Sequence, residues 1–172
     1  MDHIVKHLSL RRAGALASGL LIIVALCCVI SHAAGIFIKR NACQRTLSAI
    51  SYAIRAYSYE ESAFPSSSID LIPSRIDTRK ILMCPAVHHQ KEYVPDGTQW
   101  GDYTYINWSK YYDIPDKVPE DFPILYDRSM SNHGGRGINI VRIDGSVLWD
   151  PGAAWLRNFA ASHPQYDIPV PE

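Results

Sequence analysis

The sequence has no excess of charge of either sign, since its 17 lysines and arginines equal its 17 aspartates and glutamates. It contains no basic stripe and no motif of a known nucleic-acid-binding fold. Proteins that bind nucleic acids through the phosphate backbone are usually strongly basic. We therefore predict no nucleic-acid partner for this protein.

The motifs of common catalytic and cofactor sites are also missing. No Gly-x-Ser-x-Gly nucleophile motif and no Cys-x-x-Cys pair occurs in the chain. The glycines at 134, 135 and 137 lack the preceding strand and following helix of a phosphate-binding loop. We predict no enzymatic activity, no catalytic residue, no bound cofactor and no structural zinc site.

Charge is absent altogether from one long segment. Residues 13–38 contain no Asp, Glu, Lys or Arg. At about 26 residues, the segment exceeds the roughly 20 that cross a bilayer as a helix. It is also longer than the hydrophobic region of a signal peptide, although residues 31–33 (Ser-His-Ala) loosely match a cleavage site. An uncleaved membrane anchor is the favoured interpretation, and a cleaved signal peptide is the alternative.

The flanking charges do not orient this segment, because basic residues lie on both sides of it. They are Lys6, Arg11 and Arg12 before it, and Lys39, Arg40 and Arg45 after it.

No glycine or proline lies between Lys39 and Glu61, so nothing local ends the helix at the membrane surface. Apolar residues recur here at spacings of four, three, four and three, which predicts one buried face of an amphipathic helix. They are Cys43, Leu47, Ile50, Ile54 and Tyr57. We predict a transmembrane and amphipathic helix over residues 1–62, followed by a small α+β domain over residues 63–172.

The second half of the chain is rich in strand-forming residues. We predict strands over residues 103–108, 122–126, 137–143 and 146–149, and short helices over 68–72 and 153–161. Asp144-Gly145 separates the last two strands, which predicts a hairpin in which both central residues have positive φ. The aromatic residues around the first strand are interpreted as sheet and core packing. They are Tyr103, Tyr105, Trp108, Tyr111 and Tyr112.

The four cysteines are of two kinds. Cys27 and Cys28 lie in the apolar segment, where a thiol behaves as a small hydrophobic group. Cys43 and Cys84 belong to the second half of the helix and to the domain. In an oxidising compartment they would form a disulfide, and the alternative is two separate buried thiols.

Two further groups contain residue types that bind metal ions. His88 and His89 are adjacent, and on a strand they would point to opposite faces, which is poor geometry for one metal ion. An acidic loop offers oxygen ligands to calcium, but its spacing matches no calcium-binding loop, and a solvated loop is the favoured interpretation. Its carboxylates are Asp113, Asp116, Glu120 and Asp121.

The order of several short motifs resembles one protein family. After the apolar helix come Phe64-Pro65, Cys84-Pro85, Tyr105-x-Asn107, residues 132–135 (Asn-His-Gly-Gly) and residues 144–147 (Asp-Gly-Ser-Val). This arrangement resembles pilin-like proteins related to type II secretion pseudopilins, which carry a His–nine residues–Asp-Gly signature near the C-terminus. His133, Asp144 and Gly145 match that signature, with ten intervening residues instead of nine.

The resemblance implies a pilin-like α+β fold in which a long N-terminal helix packs on a small antiparallel β-sheet. It implies an inner-membrane protein with a cytoplasmic N-terminus and a periplasmic domain, which associates with itself or with other pilin-like subunits through residues 13–57. Pairs of small residues near the N-terminus, Gly14 with Ser18 and Ala15 with Gly19, are compatible with close helix packing.

The sequence also departs from the family. Prepilins have a cleavage site of the Gly-Phe-Thr-Leu-Ile-Glu type, whereas residues 13–18 read Ala-Gly-Ala-Leu-Ala-Ser and no acidic residue follows in the apolar segment. A membrane-anchored periplasmic binding module that does not polymerise is therefore the alternative function. A seven-residue strand would span about 20 Å, so His133 and Asp144 are predicted to lie apart. In this interpretation Asp144 forms the turn, and His133 caps or packs the preceding loop.

Overall fold

The computed structural model describes residues 2–71, 79–87, 100–111 and 119–172, with the backbone alone for residues 2–20, 79 and 109. Contacts within the chain divide it into two units, Met1–Ile38 and Lys39–Glu172. The first unit is entirely helical in its described part. The second contains the β-sheet and the hydrophobic core, and each unit is described by itself below.

Helix α1 extends from Asp2 to Glu61 without interruption. Its first part, within the unit Met1–Ile38, includes the apolar segment. From residue 21 onward its large apolar side chains are exposed, except for Ile36, which is half-buried. Leu21, Ile30 and Ile38 are each exposed to about two thirds or more, at 71%, 65% and 66%. Among the residues that the structure describes, one helix is long and apolar enough to cross a membrane, as a single-pass membrane protein requires.

The second part of α1, from residue 39, belongs to the folded unit and shows the predicted amphipathic face. Cys43, Leu47, Ile50 and Ile54 are fully buried, and Tyr57 is half-buried against the core. The helix ends at Glu61, where Ser62 has a positive φ of 54° just before the Phe64-Pro65 pair. The predicted continuation of the helix beyond the apolar segment is confirmed.

Four strands form one antiparallel sheet in the order β1-β2-β3-β4. They are β1 (Tyr103–Tyr105), β2 (Pro123–Asp127), β3 (Gly137–Arg142) and β4 (Val147–Pro151). Each strand pairs with the next one along the chain, and the inner strand β2 is buried at all five positions. The predicted fold class, a long N-terminal helix packed on a small antiparallel sheet, is confirmed.

The first predicted strand is shorter than expected. β1 ends at Tyr105, and Trp108 begins a 3₁₀ helix that ends at Tyr111. The backbone N–H of Ile106 still donates to Ile124, and then Lys110 N–H turns back to Asn107. The aromatic side chains of this region pack in or against the core, as predicted, with Tyr112 outside the described residues.

The predicted hairpin is present, but its predicted turn type is wrong. Val141 pairs with Val147, and Gly145 N–H donates to the carbonyl oxygen of Arg142 at 2.9 Å. Gly145 has a φ of 86°, whereas Asp144 does not have a positive φ. The loop is longer than the two-residue turn that was predicted. It forms a type I turn followed by a left-handed glycine, so that only Gly145 needs a positive φ.

Helix α2 (Ala154–Ser162) follows the sheet and supplies Leu156 and Phe159 to the core. No side chain at its N-cap position, Ala153, makes a capping hydrogen bond. The buried carboxylate of Asp150, in β4, accepts instead from the N–H groups of Trp155 and Leu156, each at 2.9 Å. This contact joins the start of α2 to the sheet and satisfies two N–H groups that helix geometry leaves without a partner.

Candidate functional site

A cluster of buried polar side chains lies where β2, β3 and the loop between them meet. We call Asp127, His133, Asn139 and Tyr103 the polar cluster. Asp127 is the last residue of β2, Asn139 is the third residue of β3, and Tyr103 is the residue paired with Asp127 on β1. His133 is the last residue of a short 3₁₀ helix, Met130–His133, in the β2–β3 loop.

The β2–β3 loop positions His133 through caps at both ends of the 3₁₀ helix. The hydroxyl of Ser129 accepts from the N–H of Ser131 at 3.1 Å and begins the turn. Gly134 ends it with a left-handed φ of 66°, and Gly135 N–H donates to the carbonyl oxygen of Met130 at 2.9 Å. Glycine is favoured there because side chains disfavour this conformation.

One oxygen of Asp127 is the centre of the polar cluster. Oδ2 accepts from His133 Nε2 at 2.9 Å, from the Asn139 backbone N–H at 2.6 Å and from Asn139 Nδ2 at 2.9 Å. The side chains of Asp127 and His133 are 0% and 3% exposed. A buried carboxylate is costly unless donors surround it, so these bonds hold the loop against the sheet.

Three oxygens of the polar cluster have no hydrogen-bond partner within the described part of the chain. They are Tyr103 Oη, Asp127 Oδ1 and Asn139 Oδ1. Burial, followed by the negative charge of Asp127, raises the pKa of the Tyr103 hydroxyl above its ordinary value. Tyr103 therefore stays protonated, and its hydroxyl remains a donor for a water molecule or ligand.

The cysteine pair predicted as a disulfide is confirmed. Cys43, on α1, bonds to Cys84, which follows the 3₁₀ helix Arg79–Leu82, and the two Cα atoms lie 5.7 Å apart. Asp102 Oδ2 accepts from the Cys84 N–H at 2.7 Å and holds this segment beside β1. The disulfide thus joins the second part of α1 to the domain across 41 positions of sequence.

The disulfide lies beside the polar cluster, which the sequence did not predict. The sulfur atoms of Cys43 and Cys84 and a ring nitrogen of His133 lie within 4.8 Å of one another. No other group of three potential metal ligands occurs among the described residues. The His133 ring also contacts Trp149 edge-on at 5.3 Å, and the Arg40 guanidinium lies 5.4 Å from the centre of the Trp149 ring.

The remaining part of the family signature lies elsewhere. Asp144 and Gly145 form the β3–β4 turn, at the other end of β3 from His133. Arg55, on α1, donates to the carbonyl oxygen of Asp144 at 3.2 Å, so this turn also contacts the helix. Hydrogen bonds from the Ser146 side chain and backbone lower the pKa of the Asp144 carboxyl. The structure therefore assigns the two halves of the signature to different contacts.

His133 packs in its loop, as predicted, and also makes a contact that the sequence did not indicate. Its imidazole reaches back to the end of β2 and bonds a buried carboxylate. A signal was available in the sequence, because Asp127 directly follows one apolar strand pattern and Asn139 lies inside another. Such residues are usually buried with partners, but their partners could not be identified without the sheet register.

The other candidate ligands are only partly described. Glu120 is exposed and Asp121 is half-buried in the turn before β2, where Phe122 N–H donates to Pro119 at 3.0 Å. Asp113, Asp116 and the pair His88-His89 lie outside the described residues. The predictions that concern them stay predictions.

A surface groove lies between the C-terminal end of α1 and the sheet, with a volume of about 740 Å³. Its walls combine aromatic and apolar side chains with one arginine and one glutamate. They include Tyr52, Arg55, Tyr59, Glu60, Phe64 and Ile143. Tyr52 and Tyr59 are among the most exposed large side chains of the folded unit, at 78% and 89%.

The polar cluster is closed to solvent and presents no nucleophile, so its geometry fits a role in holding the fold together. Comparison with known proteins adds no assignment. No family model, no curated protein and no solved structure matches this chain significantly.

Proposed function

We propose that this protein is a pilin-like or pseudopilin-like structural subunit of an assembly related to type II secretion or type IV pili. Its N-terminal helix anchors it in the inner membrane, with the N-terminus in the cytoplasm and the domain in the periplasm. The subunit acts mechanically: the helix first resides in the bilayer and then packs against the helices of neighbouring subunits in a protein-transport assembly.

The observation that carries this proposal is the dual character of α1. One uninterrupted helix presents an exposed apolar surface over its first part and the buried face of a folded domain over its second part. Large exposed apolar surfaces mark contact with lipid or with other proteins. A helix that merely anchored a domain would not also need to form part of that domain's core.

The disulfide supports the same interpretation. It bonds the second part of α1 covalently to the domain at Cys43, close to where the folded unit begins at Lys39. A force applied to the helix would thus be transmitted to the domain through a covalent bond. Disulfides are stable in an oxidising compartment, as the periplasmic placement requires.

The alternative is a membrane-anchored periplasmic binding module that does not polymerise. The absence of acidic residues from the apolar segment favours it. A carboxylate buried in a membrane helix usually has a partner, such as a group on a neighbouring subunit, and this segment offers no carboxylate for such a pair. The aromatic groove beside α1 would be its binding surface.

Cysteine crosslinking distinguishes the two functions. Single cysteines are placed along residues 15–35 in a chain in which Cys27 and Cys28 are serine, and crosslinking is done in membranes that contain the secretion or pilus machinery. A subunit that assembles gives dimers at positions that repeat every three to four residues, the period of one helix face. Two cysteines on opposite faces give ladders of multimers.

A cysteine in place of the exposed Asn158, on α2, is the matched control for random collision. Monomer at every position in the apolar segment would contradict assembly and support the binding module. The mass of the mature chain, measured on the same preparation, distinguishes an intact anchor from prepilin cleavage and from signal cleavage.

A further inference from the structure

Three side chains that are typical zinc ligands converge at the disulfide. Cys43, Cys84 and His133 come from α1, from the segment after the 3₁₀ helix Arg79–Leu82, and from the β2–β3 loop. Their ligand atoms lie within 4.8 Å of one another, and both cysteines are buried. Two thiolates on one zinc ion lie about 3.8 Å apart, because each Zn–S bond is about 2.3 Å long.

The hydrogen bonds of His133 leave one ring nitrogen available. Asp127 Oδ2 accepts from the Asn139 backbone N–H and from Asn139 Nδ2, so it acts as a carboxylate acceptor. His133 Nε2 lies 2.9 Å from the same oxygen and 3.0 Å from Asn139 Nδ2. We assign the proton to Nε2, so that the imidazole and the Asn139 amide both donate to the Asp127 carboxylate. The lone pair is then on Nδ1, which bonds to no residue in the described ranges. A carboxylate that orients a histidine in this way is the usual second partner in zinc sites.

We propose that the reduced protein binds one zinc ion through Cys43 Sγ, Cys84 Sγ and His133 Nδ1. The ion and the disulfide are alternative cross-links between α1 and the domain. Asp127 is a positioning residue that holds the imidazole, and a water molecule completes the tetrahedral site. The chain would thus retain its link between α1 and the domain before oxidation or after reduction of the disulfide.

The exchange of one cross-link for the other balances in electrons, protons and charge. A dithiol reductant transfers two electrons and two protons to the S–S bond, which gives two protein thiols and the oxidised reductant. Zinc then replaces the two thiol protons, which go to solvent, and keeps its oxidation state. Two thiolates neutralise the Zn²⁺ charge, so that the ion and its direct ligands carry no net charge beside the Asp127 carboxylate.

The polar cluster, to which His133 belongs, contains oxygens without hydrogen-bond partners among the described residues. Tyr103 Oη, Asp127 Oδ1 and Asn139 Oδ1 are buried without partners among the described residues. Buried polar atoms usually have a partner, and each exception requires an explanation. A water molecule or another hydrogen-bonding group inside the cluster would satisfy these oxygens.

Cobalt titration of the full-length chain in detergent micelles tests the proposal. Cys27 and Cys28 are replaced by serine so that only the two domain cysteines react, and the chain is reduced with a phosphine and desalted without oxygen. The reduced chain is expected to bind one Co²⁺ with the thiolate charge-transfer and visible bands of a tetrahedral site. Zinc should abolish these bands at one equivalent, and the oxidised chain should show none.

Two substitutions assign the ligands. His133→Asn should weaken Co²⁺ binding by about 100-fold or more, and Asp127→Asn by roughly 10- to 100-fold. His163→Asn is the matched control, because His163 is a half-buried histidine stacked on Phe159 at the end of α2. It should leave binding unchanged.

A second measurement needs no substitution at the site. One equivalent of zinc should protect Cys43 and Cys84 together from alkylation in the reduced chain, as read by mass spectrometry. Absence of tetrahedral cobalt bands, protection of neither cysteine, or equal binding by His133→Asn would each overturn the proposal. A reduced chain that unfolds and remains unfolded when zinc is added would overturn it as well.

Discussion

At the scale of single residues, the Asp127 carboxylate joins β2, β3 and the β2–β3 loop in the interior of the domain. It is fully buried, and one of its oxygens accepts three hydrogen bonds from β3 and the β2–β3 loop. Removing an acceptor leaves buried donors without partners, which costs more than the bonds themselves contribute.

Replacing Asp127 with Asn should lower the free energy of unfolding by about 1–3 kcal/mol, because an amide carries one acceptor oxygen and introduces competing donors. Chemical denaturation followed by tryptophan fluorescence measures the loss. Glu120→Gln is the matched control at an exposed position and should change stability by less than about 0.5 kcal/mol. Equal stabilities for the two variants would contradict this account of the polar cluster.

Asp144 should make stability depend on pH at the acidic end. Its pKa is lowered in the folded state by hydrogen bonds from the Ser146 side chain and backbone, and less by Arg142 and Arg55. The ionised carboxylate therefore stabilises the fold at pH values above its pKa in the unfolded chain. This contribution is lost as the pH falls through its lower pKa in the folded chain. Because the carboxylate is exposed, the loss should stay below about 1 kcal/mol.

Thermal unfolding between about pH 6 and pH 3 tests this effect around the ordinary pKa of aspartate. The parent chain should lose stability relative to Asp144→Asn as the pH falls below about 4, since the variant has no carboxylate to protonate. If stability depended on pH in the same way for both proteins, the hydrogen bonds from Ser146 to Asp144 would not contribute to stability.

At the scale of elements, the second part of α1 is joined to the domain in three ways. Its apolar face is buried, Cys43 bonds to Cys84, and Arg55 contacts the β3–β4 turn. By the chain-entropy model, a disulfide across 41 positions stabilises the fold by about 4 kcal/mol. The second part of α1 is therefore an integral part of the domain, as the sheet is.

Two glycines with nearly the same conformation should respond differently to alanine. Gly101 and Gly134 have φ values of 63° and 66°, so both variants incur the left-handed cost of about 1–2 kcal/mol. A Cβ at Gly134 would meet no atom within 4 Å, whereas one at Gly101 would collide with the backbone carbonyl of Leu82.

Gly101→Ala should therefore lose about 1–3 kcal/mol more than Gly134→Ala, as overpacked sites do. Urea denaturation of both variants measures this difference directly. Equal losses would mean that the segment around Leu82 can move away from Gly101 without cost.

At the scale of the whole molecule, the division between the units lies between Ile38 and Lys39, inside α1. The sequence placed the domain boundary at residue 62, where the helix ends. The core contacts of Leu47, Ile50 and Ile54 explain why the folded unit begins earlier.

Two truncated chains test where the folded unit begins. A chain that starts at Lys39 should be soluble without detergent and keep its near-ultraviolet circular dichroism. A chain that starts at residue 63 should aggregate or unfold. It loses three fully buried aliphatic side chains, each of which contributes about 1.5–3 kcal/mol, and this loss is comparable with the entire stability of a small domain. A folded chain from residue 63 would show that the helix is dispensable.

Much of the architecture was predictable from local patterns. The apolar length of residues 13–38, the helical spacing from Cys43 to Tyr57, and Asp144-Gly145 between two β-rich segments each act within a few residues of sequence. The exact turn type was not predictable, because loop length and strand register together select it. The convergence of Cys43, Cys84 and His133 was not predictable either, since the three residues lie far apart in the chain.

The sequence by itself determined the long helix, its two characters, the strands and the hairpin, because hydrophobic periodicity and backbone preference are local properties. Only the tertiary structure decided that Asp127, His133 and Asn139 form one buried cluster and that Cys43 and Cys84 meet beside it. Strand register and the caps of the β2–β3 loop bring these side chains together. Such contacts depend on the packing of the whole domain.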